Sequence, residues 1–200
     1  MSSHRGGEGT PMRSDARRNR ERLLDSAARL FAARGRDVQM EEIAADANVG
    51  LGTLYRNFAS KQDLFVEIVR RRYLGLIDLA ERAESIDDPA AAFRAVFVGY
   101  LEQAECDSAF QLALLGGSDL RWEGVEEQKA LFAERVRRII ERGVRAGVLR
   151  GDLTFGDFPA LVCGVMSTMY FKPSPTSDWR RHLDLVLTAL ETAVPQGAER

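Results

Sequence analysis

Val49-Gly-Leu-Gly-Thr-Leu-Tyr-Arg-Asn-Phe-Ala-Ser-Lys-Gln-Asp-Leu-Phe65 is the stretch whose reading decides the fold. A short helix starting near Gly50 or Leu51 and ending at Phe58 buries Leu54 and Phe58. It turns Thr53, Tyr55, Arg56 and Asn57 outward. Ser60 with Asp63 three residues on is an N-cap box, so a new helix follows at once with Lys61 in its first turn. Polar side chains on a short helix, a phenolic hydroxyl, and a lysine beside positive helix-terminal amides together form a docking surface for duplex DNA.

Upstream, a second short helix over Met40–Asp46 buries Ile43 and Ala44. Asn48 stands where the chain must turn sharply, and Asn tolerates the left-handed backbone better than other non-glycine residues. Helix, tight turn, helix, with Ile43, Ala44, Val49 and Leu54 inside, is the physical minimum of a helix-turn-helix. The same pattern also describes two packed helices in any helical protein. Before it, a helix from Asp15 places Leu23, Ala27, Leu30 and Phe31 on one face. Arg17, Arg18, Arg20 and Arg22 crowd its first turns, and Gly35 ends it. Residues 1–14, rich in Gly, Ser and Arg without apolar period, read as a disordered basic arm.

Downstream the pattern stays helical. The helix opened by Ser60 runs to about Glu84 and buries Leu64, Ile68, Leu76 and Ile77. Asp88-Pro89 is a cap with an N1 proline, followed by the stripe Phe93, Val96, Phe97, Tyr100, Leu101. A short apolar helix through Phe110 to Leu115 stops at Gly116-Gly117. A helix from about Val125 to Arg145 turns Phe132, Val136, Ile139, Ile140 and Val144 inward. The last two helices span about Phe155–Tyr170 and Trp179–Val194. With no β-alternation and no internal repeat, the fold class is all-α: an N-terminal three-helix unit joined by a long helix to a larger helical unit. The divisions are 1–14, 15–76 and 77–200, with the helix-turn-helix at about 39–58.

The formal charge of −2 hides an asymmetry: residues 1–72 hold 14 Lys and Arg against 10 Asp and Glu, and residues 73–200 hold 14 against 20. A basic front on an acidic rear suits a polyanionic partner for the front. No run is long and apolar enough for a bilayer span or a secretory signal, so no membrane partner is expected. Cys106 and Cys163 lack metal-ligand spacing and suit a reducing cytoplasm as small buried hydrophobes. His182 and Asp178 at i, i+4 spacing are two potential ligands, too few for a metal site. No cofactor, nucleophile–base pair or Gly-rich phosphate loop is found.

Ile43-Ala44, Ala47-Asn48-Val49, Thr53-Leu54-Tyr55, Phe58, Lys61 and Leu64 resemble the DNA-binding signature of the TetR family of bacterial one-component transcriptional regulators. The motif match covers about Asp15 to Val69, and the rear half matches in helix count, length and order. The resemblance implies that Tyr55 and Lys61 hold phosphates, as do groups near Gln39, and that Thr53 touches phosphate or a base edge. Leu51, Gly52, Arg56 and Asn57 then face the major groove, where Arg56 suits guanine and Asn57 adenine. Arg13, Arg17 and Arg18 suit a basic arm reaching into a minor groove. Arg70-Arg71-Arg72 reads either as a further phosphate contact or as a solvated face or link to the acidic rear. Three residues depart from the family's pattern: Gln39 for Ser or Thr, Asn48 for Gly, and Gly50 for Ser.

The family usually binds a small apolar or amphipathic effector in the rear unit. Candidate lining residues are Phe97, Tyr100, Phe110, Leu114, Trp122, Phe132, Met166 and Met169, which spacing alone does not separate from ordinary core. The final helices carry the stripe Trp179, Leu183, Val186, Leu187, Leu190, beside a helix apolar nearly all round that includes Leu161 and Val165. Two such helices from each of two subunits make the four-helix dimer bundle that the family uses; alternatively both finish the monomer core. The expectation is a non-enzymatic, cytoplasmic homodimer that binds a palindromic operator and is released by an effector. The alternatives are an activator of the same family, or a small helical enzyme or carrier built on an apolar pocket.

Overall fold

The computed structural model describes residues 11–105, 124–170 and 178–192. These residues form eight α-helices: α1 (Pro11–Arg34), α2 (Met40–Asp46), α3 (Leu51–Asn57), α4 (Lys61–Glu84), α5 (Pro89–Glu105), α6 (Glu126–Arg145), α7 (Asp157–Tyr170) and α8 (Trp179–Leu190). Phe110, Leu114, Trp122 and Cys106 lie outside the described residues, as does the short helix expected through Phe110 to Leu115.

Two apolar clusters organise the chain. Leu23, Leu24, Ala27 and Phe31 of α1 close over Ile43, Ala44, Leu54, Phe58, Leu64 and Ile68 to form the front core. The rear core joins Leu76, Ile77 and Ala80 of α4 to Phe93, Phe97, Val136, Ile139, Val162, Leu183 and Leu187. Tyr73 packs against both clusters, so α4 carries the front unit on one end and the rear unit along the other.

Local signals set most boundaries. The Ser60 hydroxyl accepts the Asp63 N–H at 3.1 Å, and the Asp63 carboxylate accepts the Ser60 N–H at 3.0 Å, closing the capping box at α4. The Asp88 carboxylate accepts the Ala90 N–H at 3.0 Å ahead of α5. Gly35, at φ 68, ends α1.

Two boundaries differ from the sequence expectation. α1 starts at Pro11, taking in four residues assigned to the arm, because proline is favoured in a first turn and the Ala-, Arg- and Leu-rich run behind it propagates the helix. α8 stops at Leu190 instead of running to Val194. Glu191 there adopts extended backbone and pairs antiparallel with Leu149, with Arg150 N–H donating to Leu190 O at 2.9 Å and Thr192 N–H to Val148 O at 3.1 Å. This bridge closes the loop between α6 and α7 onto the end of α8.

α4 and α6 run side by side in the same direction. Arg135 and Arg138 meet Glu84 at 2.9 and 2.5 Å, and Arg142 donates to the Glu84 and Ile86 carbonyls at 3.1 and 2.7 Å, covering the last turn of α4. Its hydrogen bond from Arg138 holds the Glu84 carboxyl below the usual carboxylate range, with Arg135 adding to it.

The turn between α2 and α3 rests on Asn48, the one non-glycine residue at positive φ (50°) among the described residues. Asn48→Val is expected to lower stability by about 1–2 kcal/mol, because a β-branched side chain is crowded in the left-handed region, whereas Asn48→Gly holds the wild-type urea midpoint to within a few tenths. Equilibrium unfolding of both variants measures the difference.

Candidate nucleic-acid interface

The interface begins with what fixes α3, since a two-turn helix does not hold itself in water. Leu54 is completely buried and Phe58 nearly so, nailing one face of α3 to the front core. The turn before it closes with Val49 N–H donating to Ala44 O at 2.9 Å and Asn48 N–H to Ala45 O at 3.0 Å. Arg22 of α1 donates to the Asn48 carbonyl at 3.4 Å, and the Arg20 guanidinium lies 5.1 Å from the Phe58 ring centroid while pairing with Glu67 at 3.1 Å.

α2 is anchored to α1 by a group that sequence reading missed. Ser26, fully buried on the apolar face of α1, donates its hydroxyl to the Asp46 carboxylate at 2.5 Å, and Arg29 pairs with the same carboxylate at 2.7 Å. The Ser26 hydrogen bond, and then Arg29, hold the Asp46 carboxyl below its ordinary range. At the other end of α2, Arg34 meets Glu42 at 2.8 Å, and Glu42 accepts the Gln39 N–H at 2.8 Å; both lower the Glu42 pKa, the Arg34 bond more. The only sequence signal for Ser26 was its position, three residues after Leu23 in the buried stripe.

On this frame Leu51, Gly52, Tyr55 and Arg56 stand exposed on one outward face, with Leu51 at 38% and Tyr55 at 46% of full exposure. A Cβ added at Gly52 meets nothing within 4 Å, so that face is open. Arg56 donates to the Thr53 hydroxyl at 2.7 Å and Asn57 donates to the Thr53 carbonyl at 2.7 Å, laying both long polar side chains along α3. Half-buried Lys61 sits in the first turn of α4, directly after the Ser60 cap. Gln39 precedes α2 and is exposed, but its amide nitrogen donates back to the Asp37 carbonyl at 2.8 Å.

The arginines outside this face lie on α1 and α4. Arg17 and Arg18 lie on α1 itself, exposed, with Arg18 meeting Asp15 at 3.4 Å, so helical backbone stands where the mobile arm was expected. Arg71 is drawn to Asp25 and Glu21 of α1 at 2.7 and 3.2 Å, and Arg70 donates to the Gly124 carbonyl at 2.9 Å, so both are engaged within the chain.

The comparisons with known proteins agree with this geometry. Residues 23–68 match the family model described as bacterial regulatory proteins of the tetR family, and residues 88–192 match the C-terminal domain of SbtR-like transcriptional regulators. The chain belongs to the TetR family. The crystal structure of a TetR regulatory protein from Mycobacterium vanbaalenii is 30% identical, with a TM-score of 0.65 over 91% of this chain and 100% of that one. PfmR of Thermus thermophilus, a TetR-family regulator, is 28% identical, with a TM-score of 0.66 over 90% and 97%. An HTH-type transcriptional regulator of Staphylococcus aureus strain USA300 is 41% identical over 61 residues, which span 30% of this chain and 33% of that protein.

In the rear half of this TetR-family chain, the residues expected to line a pocket are close together. Phe97, Tyr100 and Phe132 each lie 5.5–6.2 Å from Phe158 between ring centroids, and Tyr100 lies 6.0 Å from Phe132. Phe97, Phe132 and Met166 are buried, and Met169 half-buried. These spacings are direct ring contact, so this part of the set packs as core. Burial pushes the Tyr100 phenol up to about 12. A separate open groove of about 1000 Å3 lies between α1, α4 and α5, floored by Ala28, Ala32 and Leu79 and rimmed by Arg72 and Glu102. Cys163 is half-buried, and burial raises its thiol pKa.

The stripe read as a dimer interface is turned inward. Val165, Trp179, Leu183, Leu187 and Leu190 are buried in the rear core of the same chain, and Leu161 and Val186 pack against it. The Trp179 indole N–H also donates to Glu105 of α5 at 2.9 Å. An apolar stripe satisfies an intramolecular neighbour as readily as a second subunit, and here α5 and α7 take it up. The outward face of the same two helices carries Ala160, Gly164 and Ser167 on α7 and Leu185 on α8, the last 58% exposed.

Proposed function

We propose that this protein is a cytoplasmic, dimeric transcriptional repressor that grips a palindromic operator through α3 of each subunit and lets go when a small apolar or amphipathic effector binds the rear half. The single observation that carries this reading is the outward face of α3: Leu51, Gly52, Tyr55 and Arg56 exposed beside Lys61 at the start of α4, with Leu54 and Phe58 locking the helix from behind. In this reading Tyr55, Lys61 and the α2 start at Gln39 hold phosphates, Thr53 holds a phosphate or base edge, and Arg56 and Asn57 swing off Thr53 to read bases. Arg17 and Arg18 add backbone contacts from the flank of α1. Residues 15–76 form the reading unit and 77–200 the effector and dimer unit.

The dimer is proposed to form through the outward face of α7 and α8. Ala160, Gly164 and Ser167 permit close helix approach, and Leu185 supplies the exposed apolar contact.

Selection of bound fragments from a random duplex pool, followed by shift assays at low and moderate salt, tests the reading. The expected consensus is palindromic, with half-sites roughly one helical turn, ~34 Å, apart. A pool that never enriches any sequence would overturn it. Coupling supplies a second test. An effector that releases DNA by ~1–3 kcal/mol, about 5- to 150-fold, must itself bind more weakly to the operator complex by the same factor. Calorimetry of an effector with and without operator reads both sides of that cycle, and equal affinities would remove allosteric release.

A further inference from the structure

Among the described residues, the front core contains one from far along the chain. Val125, immediately before α6, is completely buried among the residues of α1 to α4 that hold the helix-turn-helix. Its neighbour Gly124 lies against α4: a Cβ built there falls 3.4 Å from Val66 Cγ1 and 3.7 Å from Arg70 Nη2. Gly124 has φ +100, where a side chain is strained, and its carbonyl accepts the Arg70 guanidinium at 2.9 Å. The Gly124 N–H donates to Glu126 at 2.7 Å and Lys129 N–H donates to Val125 O at 3.0 Å, so this contact is continuous with the first turn of α6.

α6 is thus fastened to α4 at two heights. The upper fastening is Arg135, Arg138 and Arg142 on Glu84 and the last carbonyls of α4. The lower one is Val125 in the front core and Arg70 on Gly124, separated from the first by roughly 20 Å of helix at 1.5 Å per residue. Between the two, Leu76, Ile77 and Ala80 of α4 share the rear core with Phe132, Val136 and Ile139 of α6, and the lower fastening carries that contact down to the end of α4 that bears the front core. The Arg70 Nε is buried with no hydrogen-bond partner among the described residues, while the same guanidinium donates to Gly124.

We propose that Val125 and Arg70 are positioning residues for DNA binding: they fix the angle at which the front core sits on the rear half, and so the separation of the two reading helices in a dimer. This rests on the operator-binding dimer proposed above. Neither residue is assigned a contact with DNA; both act by holding the front unit to α6.

The test uses full-length wild type, Val125→Ala and Arg70→Met, with duplexes selected from a random pool by the wild type. Each protein is titrated on the full operator, on an isolated half-site, and on operators with one base pair added or removed between half-sites. The expected result is half-site affinity and salt slope within about twofold of wild type, together with a spacing penalty at least roughly fivefold smaller. Arg70→Met keeps Val125 in place and guards against simple loss of the front core in Val125→Ala. Unchanged spacing penalties in both variants would overturn the proposal. So would an equal loss on half-sites, or a salt slope shallower by about one unit for Arg70→Met, which would make Arg70 a phosphate contact. A wild type with no preferred spacing would overturn the operator-binding dimer, and this proposal with it.

Discussion

Arg56→Ala is expected to weaken binding to a selected operator by about 1–3 kcal/mol in each half-site, so roughly 2–6 kcal/mol for a dimer on both, with a far smaller loss on unrelated duplex. Arg56 is exposed on α3 and reaches the Thr53 hydroxyl at 2.7 Å, a neutral partner that costs little to exchange for a guanine edge. Truncation leaves Leu54, Phe58 and the turn untouched, so the melting temperature should hold. Lys61→Ala and Tyr55→Phe make the contrasting case. Phosphate contacts carry no sequence information, so both variants should lose affinity by the same factor on operator and unrelated DNA. Lys61→Ala should also make the salt slope shallower by about one unit per bound subunit. Fluorescence anisotropy across a salt series separates the patterns. An operator-to-unrelated ratio unchanged by Arg56→Ala would take Arg56 off the base edges.

The second large effect separates the inner and outer faces of the last helices. Leu187→Glu puts a carboxylate into the rear core, where Leu187 is 2% exposed, and is expected to cost several kcal/mol and unfold the rear half rather than produce a folded monomer. Gly164→Leu is expected to do the opposite. A Cβ at Gly164 meets nothing within 4 Å among the described residues, so the fold should tolerate the larger side chain. Across a close two-helix contact the same side chain pries the subunits apart. Light scattering over a dilution series should then show a folded monomer, with helical circular dichroism retained. A Gly164→Leu protein that stays dimeric at micromolar concentration would move the interface off this face.

What was legible in advance was written within a few residues. Asn48 announced its left-handed turn, Ser60 and Asp63 their mutual cap, and Pro89 the first turn of α5, since each depends on neighbours in sequence. The helix-turn-helix could be read because nearly all of its inner contacts are local. What escaped was the destination of side chains over long separations. Leu183 and Leu187 advertised an apolar stripe without naming the partner that covers it. Ser26 gave no sign of a partner, because its hydroxyl meets Asp46 on another helix. Val125 looked like the first residue of a rear helix, although its side chain belongs to the front core. α8 ended early for the same reason: the extended pairing of Glu191 depends on Leu149, far back in the chain.

The separation of duties within α3 has an evolutionary consequence. Leu54 and Phe58 secure the helix from behind, while the sites at 51, 52, 55 and 56 project into solvent with no inward obligation. Substitutions there leave the hydrophobic interior as it was, so stability and target sequence can drift independently. Under the proposed base contacts, a lineage built on this scaffold retargets to new promoters by changing a few outward letters. Laboratory libraries randomised at 51, 52 and 56, with Tyr55 kept as the proposed phosphate contact, should yield mostly folded proteins with new sequence preferences.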